Sequence, residues 1–312
     1  MPRLIPPGPP ATAIGLDEAV EALVARGFDS EDDEAWDAAA PILAALSVNR
    51  RFLGDLAVDA LERGDDAPGM YGPPVIPLRR GAGNWFLRAN LWPADGDAVL
   101  RASGRRAFFY DLPHDHNFSF LTIGHHGPGY DSDYWERDEG DGPSAMPGET
   151  VALRATGRRR LGPGQMMLYR AHRDIHAQRP PPAFSVTLNL MESSGREPWR
   201  DQYRFDTDRG RIAGLLNAIA IEGLLPLAAH LGGGNGTELL HHLARRHPVD
   251  RIRFAAVRAL AGAATGEAAR LGIYEAAARR DDPFVSRGAI RALADAPDVR
   301  RWADSTDVGM DQ

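Results

Sequence analysis

The middle of the chain, residues 85–189, consists of short segments in which apolar and polar residues alternate. Alternation with a period of two turns one side of a β-strand towards a core. Clusters of Gly and Pro separate the segments, and these residues favour turns. Several short strands of this kind predict an antiparallel barrel or sandwich. The segments are NWFLRANLW, RRAFFYDL, HDHNFSFLTI, YDSDYWERD, TVALRAT, GQMMLYRA and AFSVTLNLM.

Helices are predicted on both sides of these strands. Apolar residues recur at three- and four-residue spacing in 13–64, whereas 65–84 is dense in Gly and Pro and indicates a connecting loop or edge segment. Near the C-terminus, PVDRIRFAAVRALAGAA and DPFVSRGAIRALADAP align with each other, like a degenerate pair of HEAT-type repeats. We therefore expect an α+β protein with three parts. They are a helical segment and linker (1–82), a β-barrel (83–207) and a helical HEAT-like region (208–312).

Composition narrows the chemistry. The 312 residues include no Cys, which excludes disulfides, thiolate-bound metals and a thiol nucleophile, so any metal must be held by nitrogen and oxygen. A formal net charge of −7 gives no general attraction to nucleic acid or anionic membranes. The longest apolar runs are shorter than the roughly 20 residues of a membrane span. We expect small-molecule, peptide or protein partners, no nucleic acid, no membrane and a cytoplasmic location.

Six of the ten histidines lie between His114 and His176. If 114–121 is a strand, His114, His116, Phe118 and Phe120 share one face. Two imidazoles continued by two phenyl rings are what a metal site in an apolar barrel requires, because the rings keep water away from the metal.

A carboxylate and a further imidazole can complete such a site. A hairpin centred on the turn GHHGPG pairs position 116 with position 136, which places Glu136 beside His116. A register slip of one residue would turn Glu136 outward. Asp133 is a second carboxylate candidate. Further along, Pro163 and Gly164 form a turn, a strand follows, and His172 and His176 come after it.

This arrangement of HxH, a carboxylate on the next strand and a later His after a Gly-initiated strand resembles the two motifs of the cupin superfamily. The resemblance implies a double-stranded β-helix (jelly-roll) barrel, and the count from Gly164 favours His176 over His172. Residues 108–191 are also similar to non-haem iron oxygenases of pathways for ribosomally made, modified (RiPP) peptides. These are the thioholgamide- and thioviridamide-type (thioamitide) β-hydroxylases and the cinnamycin-type Asp hydroxylases.

The resemblance implies insertion of one oxygen atom at the β-carbon of a peptide residue, with His as the target. His116, Glu136 and His176 would hold Fe(II) and leave positions for O2 and 2-oxoglutarate, with His114 as a further or alternative ligand. The sequence departs from the HxD/E…H pattern of many oxygenases, because Phe118 stands two residues after His116. A site of three histidines, His114, His116 and His176, therefore remains an alternative.

A 2-oxoglutarate site needs a cation or a hydroxyl group for the distal carboxylate. Candidates are Arg170, Arg173 and Arg179, which flank the distal histidines, and Thr187 and Asn189 on the last predicted strand. The expected substrate is a modified precursor peptide, linear or macrocyclic. Two other functions fit the same pattern: a metal cupin dioxygenase or isomerase that does not use 2-oxoglutarate, and a non-catalytic cupin with helical repeats that serves as a binding module.

Overall fold

A computed structural model describes residues 1–6, 8, 12–63, 75–137, 144–217 and 219–306, with side chains up to 296. The chain divides into two compact units. The first comprises 1–141 and 147–216, and the second comprises 142–146 and 217–312. The first unit therefore combines the N-terminal helices with the strands.

The larger sheet of the first unit has six strands, and every neighbouring pair is antiparallel. Its strands are β1 (Arg3–Ile5), β2 (Val75–Arg80), β3 (Trp85–Trp92), β4 (Phe120–His126), β7 (Met166–Tyr169) and β9 (Ser185–Glu192), in the spatial order β1-β7-β4-β9-β3-β2. The predicted loop or edge segment 65–84 thus contains an edge strand, β2, whereas its residues 65–74 lie outside the described part of the chain.

A second sheet, in the order β6-β5-β8, contains β5 (Tyr130–Arg137), β6 (Leu153–Leu161) and β8 (Asp174–Gln178), and β10 (Tyr203–Asp206) pairs separately with β11 (Arg211–Leu215). Buried side chains of the first two sheets share one interior. Phe120, Met167 and Tyr169 of the larger sheet belong to the same cluster as Tyr130 and Tyr134 of the smaller one. Two antiparallel sheets around one core form the double-stranded β-helix barrel of the cupin fold, as the sequence predicts.

The predicted hairpin between β4 and β5 is wrong. β4 pairs with β7 and β9, and β5 pairs with β6 and β8, so the connecting turn carries the chain from one sheet to the other. Backbones approach closely at this turn. A Cβ atom on Gly124 would lie 2.1 Å from the carbonyl oxygen of Gly162. Position 116 consequently does not pair with 136, and Glu136 lies opposite Asp174 instead.

The predicted strand RRAFFYDL is also wrong. After the short helix α4 (Ala98–Ser103), residues Arg105–Phe108 form a 3₁₀ turn that ends at Phe109, whose φ of 59° is left-handed. The Arg105 guanidinium donates hydrogen bonds to Asp95 and Asp111. The 3₁₀ turn and the left-handed Phe109 break the extended backbone that a strand needs.

The N-terminal helices are α1 (Leu16–Ala25), α2 (Asp33–Val48) and α3 (Phe52–Arg63), which confirms the helical pattern of 13–64. Leu43 of α2 is buried in one cluster with Leu121 of β4 and Leu188 of β9, so helices cover one face of the larger sheet. Because side chains alternate along a strand, Thr122 and Asn189 belong to the opposite face, which is the interior of the barrel.

The second unit contains five described helices: α5 (Ala220–Leu231), α6 (Gly233–Arg246), α7 (Asp250–Ala263), α8 (Glu267–Ala278) and α9 (Pro283–Thr306). They pack around their own core, which includes Leu225, Leu240 and Val257. The two halves of the weak repeat are not equivalent in burial, because Val257 is 1% exposed and the aligned Ile290 is 54% exposed. Among the described helices, none combines the length and apolar character needed to cross a membrane.

Candidate metal centre

Three histidines meet inside the barrel. His114 and His116 precede β4, whereas His176 lies in β8. The backbones of His114 and His176 exchange two N–H···O bonds, of 3.0 and 2.9 Å. His116 Nε2 lies 2.9 Å from His176 Nε2, and one nitrogen from each of the three rings falls within 4.8 Å of the others. These are the residues of the three-histidine alternative.

The spacing of these nitrogens fits a bound metal ion. Two nitrogens that bind one ion at about 2.1 Å and at a right angle to each other are about 3.0 Å apart. The separation of 2.9 Å between His116 and His176 matches that value. Imidazole nitrogen suits iron, zinc, copper and nickel. Three neutral ligands leave the charge of a divalent ion uncompensated, so the centre favours an anion as an additional ligand.

The segment that carries His114 and His116 is not a regular strand, yet its side chains alternate as predicted. Asp115 Oδ1 accepts a hydrogen bond of 2.6 Å from the backbone N–H of Tyr203, and the Asn117 amide donates one of 3.1 Å to the Arg200 carbonyl. These bonds hold the odd-numbered side chains away from the centre.

The even-numbered side chains of this segment turn inward. The His116 ring centroid lies 5.0 Å from that of Phe118 and 4.9 Å from that of Phe120, and the His114 centroid lies 4.9 Å from His116. The predicted face of two imidazoles and two phenyl rings is confirmed by these contacts, although the strand itself begins only at Phe120.

Burial keeps the imidazoles neutral. It lowers the pKa of His114 and lowers the pKa of His116 and His176 well below the ordinary value of 6.5. The neutral ring is the form that binds metal. His114 Nδ1 lies 2.7 Å from the Leu112 carbonyl, which can only accept, so Nδ1 carries the hydrogen and Nε2 is left as the ligand atom.

Aromatic side chains wall the centre. The Phe120 ring stacks on Tyr169 with centroids 4.5 Å apart, and the Tyr169 ring lies 4.8 Å from His176. The Tyr169 and Tyr134 hydroxyls are hydrogen-bonded at 2.9 Å. Burial raises the pKa of both tyrosines, so they remain neutral phenols. This packing removes water from one side of the histidines.

The structure does not bring Glu136 to the histidines. Its carboxylate contacts the Met1 amine and Arg154, and Arg170 Nη2 lies 3.4 Å away. The hydrogen bond from the Met1 amine is the largest cause that lowers the pKa of Glu136. The second carboxylate candidate, Asp133, is likewise bound by two arginines, Arg158 and Arg179.

The predicted arginine candidates have other partners. Arg170 donates to the fully buried Asp174 at 2.7 and 2.8 Å, and Arg179 donates to Asp133 at 2.7 Å. Arg173 lies in the turn before β8, where its carbonyl accepts a hydrogen bond from the Arg137 N–H. None of these contacts involves a histidine of the centre.

Thr187 and Asn189 do face the barrel interior. Thr187 Oγ1 accepts a hydrogen bond of 3.1 Å from the Trp92 indole. Asn189 is 2% exposed, and its Nδ2 has no hydrogen-bond partner among the described residues. It lies opposite Arg88 of β3 on one side and Thr122 of β4 on the other.

Arg88, Thr122 and Gln178 also lie at or near the centre and carry no motif that singles them out in the sequence. Gln178 follows His176 by two residues, and its amide nitrogen lies 3.2 Å from His176 Nε2. The signal for Arg88 was present in NWFLRANLW, where alternation puts this arginine on the same face as aromatic side chains. A charged residue in the middle of an apolar strand is a sign of a functional interior.

No protein-family model and no curated protein matches the sequence. Among solved structures, the chain is similar to one of DMSP lyases, at 15% identity and a TM-score of 0.21 over 39% of this chain and 47% of that one, about half its length. It is also similar to an oxalate oxidase, at 11% identity and a TM-score of 0.25 over 64% of this chain and 77% of that one. A cupin-like protein from Thermotoga maritima gives 11% identity and a TM-score of 0.21 over 38% of this chain and 67% of that one. At these identities and TM-scores the likenesses carry no inference about activity, and the cupin fold is assigned from the strand order.

Proposed function

We propose that the chain is a non-haem iron oxygenase that hydroxylates the β-carbon of a residue, His in the first instance, in a ribosomally made peptide, with 2-oxoglutarate as cosubstrate. The observation that carries the proposal is the buried three-histidine cluster inside a cupin barrel. The resemblance of residues 108–191 to RiPP peptide hydroxylases supplies the reaction and the substrate class. A three-histidine centre replaces the carboxylate-containing set that the same resemblance suggested.

The number of ligands supports a 2-oxo acid. Three histidine ligands would leave open positions on an iron ion for a 2-oxo acid and for O2. A bound Fe(II) ion would let O2 act as the oxidant, with one oxygen atom entering the peptide and the other entering succinate as 2-oxoglutarate loses CO2. Charge also supports an anionic ligand, because the neutral His114, His116 and His176 would leave the positive charge of a divalent ion uncompensated.

The residues of the chain have separate tasks in this proposal. His114, His116 and His176 would hold the ion in their neutral forms, and Phe120 and Tyr169 would keep water away from the histidines. Exclusion of water prevents side reactions at an oxidising centre. The two backbone hydrogen bonds between His114 and His176 hold these two residues side by side.

The peptide would approach past Phe109 and His172. Both residues have a left-handed φ of 59°, which residues other than Gly rarely adopt. Backbone strain of this kind is concentrated at functional sites. Phe109 is 42% exposed, and its ring centroid lies 5.5 Å from His114. The His172 N–H donates to the His116 carbonyl at 2.8 Å, while its side chain is 38% exposed. We assign these two side chains to the mouth of the site.

A dioxygenase that needs no 2-oxoglutarate is the second candidate. The specific observation in its favour is that the described ligand group contains no carboxylate. It differs from the first candidate in one measurable respect, the dependence of turnover on 2-oxoglutarate.

The test is a reconstitution. Protein loaded anaerobically with Fe(II) is given 2-oxoglutarate, O2 and a set of precursor peptides, and products are analysed by mass spectrometry. The proposal expects a peptide heavier by one oxygen atom and one succinate per hydroxylation. Turnover that ignores 2-oxoglutarate would establish the second candidate. Protein that takes up no metal would contradict both enzyme functions and would support a non-catalytic binding module.

Variants sharpen this experiment. His176→Ala removes one ligand and should abolish turnover. His230→Ala changes an exposed histidine of α5 in the other unit and should leave turnover unchanged. Full activity of the His176→Ala protein would exclude the three-histidine centre as the site of the reaction.

A further inference from the structure

A buried carboxylate oxygen lies beside the mouth of the site. Asp115 is 0% exposed, and its Oδ2 has no hydrogen-bond partner among the described residues. Its other oxygen, Oδ1, accepts a hydrogen bond of 2.6 Å from the Tyr203 N–H, and the Asp115 N–H donates to the Tyr203 carbonyl at 3.2 Å. Asp115 is therefore fixed in place with one acceptor left over. A buried acceptor without a donor destabilises the fold unless another group satisfies it.

His172 is placed to satisfy that oxygen. Its Nδ1 lies 3.7 Å from Asp115 Oδ2, which is too long for a hydrogen bond. The His172 backbone is held, because its N–H donates to the His116 carbonyl at 2.8 Å and the Ala171 N–H donates to Ser119 Oγ at 3.1 Å. The ring itself is 38% exposed. A shift of the ring by about 1 Å therefore brings Nδ1 within hydrogen-bond distance of the carboxylate.

The backbone conformation at His172 adds a second observation. Its φ of 59° is one that Gly adopts without strain, yet an imidazole is retained there. Strain kept at one residue indicates that its side chain is used. Asp115 stands between His114 and His116, and alternation turns its side chain away from the face that carries their rings. The Asp115–His172 pair is therefore separate from the metal ligands.

A carboxylate beside an imidazole determines which ring nitrogen carries the hydrogen. The carboxylate only accepts, so His172 Nδ1 donates to it, and Nε2 of the neutral ring is left as an acceptor. On an exposed ring this acceptor can receive a hydrogen bond from a bound molecule. A peptide backbone offers N–H donors at nearly every residue, whereas an ionised carboxylate offers none. The chemistry of the pair therefore selects an N–H group.

We propose that Asp115 is a positioning residue that keeps His172 in its Nδ1–H form, and that His172 Nε2 accepts a hydrogen bond from an N–H group of the peptide. The peptide as the partner rests on the proposed function, whereas the pairing of Asp115 with His172 does not. Recognition of the peptide is thus assigned to a side chain outside the metal ligand set.

The first experiment locates the hydrogen by NMR. Protein labelled with ¹⁵N-histidine and loaded with Zn(II), which does no redox chemistry, is measured at about pH 8, above the ordinary imidazole pKa of about 6.5. Loss of a signal in His172→Leu identifies His172. We expect the hydrogen on Nδ1 in wild type. In the near-isosteric Asp115→Asn, the amide oxygen still accepts from Tyr203 and the NH2 group faces His172, so the hydrogen should move to Nε2.

A merely structural role for Asp115 would not reverse the tautomer. An unchanged signal of His125, a buried ring of the same unit, shows that Asp115→Asn is folded. The same tautomer in wild type and Asp115→Asn would overturn the proposal. A wild-type His172 with its hydrogen mainly on Nε2 would also overturn it, and that measurement needs no variant of Asp115.

The second experiment measures the contact with the peptide. The histidine-containing precursor peptide of the reconstitution is titrated by calorimetry into Zn(II)-loaded protein. His172→Leu should bind it about 3- to 10-fold more weakly, the net value of one hydrogen bond. His172→Gln, whose amide oxygen can replace Nε2 as acceptor, should restore most of the affinity. His126→Leu alters another exposed histidine of the same unit and should bind as wild type does.

Equal peptide affinities of wild type and His172→Leu, or no binding by wild type, would contradict the peptide contact. The failure of the proposed function is distinguishable from this outcome. Protein that binds the peptide through His172 but yields no hydroxylated product would retain the contact and contradict the hydroxylase. Protein that hydroxylates the peptide with the same KM in wild type and His172→Leu would retain the hydroxylase and contradict the contact.

Discussion

His116 Nε2 and His176 Nε2 face each other at 2.9 Å although sixty residues separate them in the chain. The contact depends on the backbone pairing between His114 and His176, which fixes the two segments side by side. One imidazole comes from the irregular segment before β4 and the other from β8. The histidine cluster is thus built from the segment before β4 and from β8, rather than from two strands of one hairpin.

Replacing Glu136 separates the two ligand sets that the sequence allowed. Because the Glu136 carboxylate contacts Met1 and Arg154 instead of the histidines, Glu136→Gln should keep the wild-type metal stoichiometry. Metal content by mass spectrometry after dialysis is the measurement. Loss of more than half of the metal in this variant would restore the set of two histidines and one carboxylate. Asp133→Asn, which alters another arginine-bound carboxylate of β5, is the matched control.

The stability of the metal-loaded protein should depend on pH through His125. This ring is 3% exposed, its Nδ1 lies 3.0 Å from the Ser47 carbonyl, and burial lowers its pKa. Below the unfolded pKa of about 6.5 the unfolded chain binds the proton more readily. Stability is therefore lost as the pH falls from about 6.5 towards the folded pKa, by at most about 1.4 kcal/mol per pH unit for this group.

Urea unfolding of wild type and His125→Asn at pH 7.5 and pH 5.5 measures this contribution. The difference in unfolding free energy between the two pH values should be smaller in the variant. An equal difference in both proteins would show that His125 does not titrate between these pH values. The neighbouring Arg50, which donates to the His125 carbonyl, is unchanged in the comparison.

The hydroxyl pair of Tyr134 and Tyr169 should behave as a coupled unit. Tyr169→Phe removes the 2.9 Å hydrogen bond and leaves the buried Tyr134 hydroxyl with Met167 Sδ at 3.5 Å. We expect a loss of about 1–3 kcal/mol in the free energy of unfolding. The double variant with Tyr134→Phe should lose less than the sum of the two single losses, because no buried hydroxyl is then left alone. Strict additivity in urea unfolding would contradict the coupling.

The crossing between β4 and β5 should tolerate no side chain at Gly129. Its φ is +76°, and an added Cβ would lie 2.0 Å from the Leu161 carbonyl oxygen. Gly164 has a similar φ of +74° with open space around it, so Gly164→Ala should cost only about 1–2 kcal/mol. Gly129→Ala should therefore cost more than Gly164→Ala in thermal or urea unfolding. Equal costs would show that the backbone at the crossing can move apart.

Local patterns predicted the barrel and the face of the histidines. Alternation identified β3, β5, β7 and β9, and it turned His114 and His116 to one side although they precede the strand. Alternation predicts the buried face because apolar side chains mark that face, whether or not the segment forms hydrogen bonds to a neighbouring strand. The position of His176 followed from the cupin resemblance.

The pairing of strands that are distant in the chain could not be predicted from the sequence. The turn after β4 has the residues of a hairpin turn, but Gly124 and Gly129 serve a close crossing between sheets, so Glu136 was placed on the wrong neighbour. Arg88 was missed for a related reason. Arg88 lies beside Asn189 and Thr122 only once three distant segments have formed one sheet.

The most direct test of the account is the metal content of the protein purified anaerobically and reconstituted with Fe(II). A three-histidine centre should bind about one ion per chain in wild type, and His114→Ala, His116→Ala and His176→Ala should each lower the affinity more than about 100-fold. Loss of a residue that only supports a ligand lowers metal affinity by about 10- to 100-fold, and loss of a ligand itself should cost more. Glu136→Gln should bind as wild type. Wild-type protein without bound metal, or full metal binding by His176→Ala, would contradict the three-histidine centre.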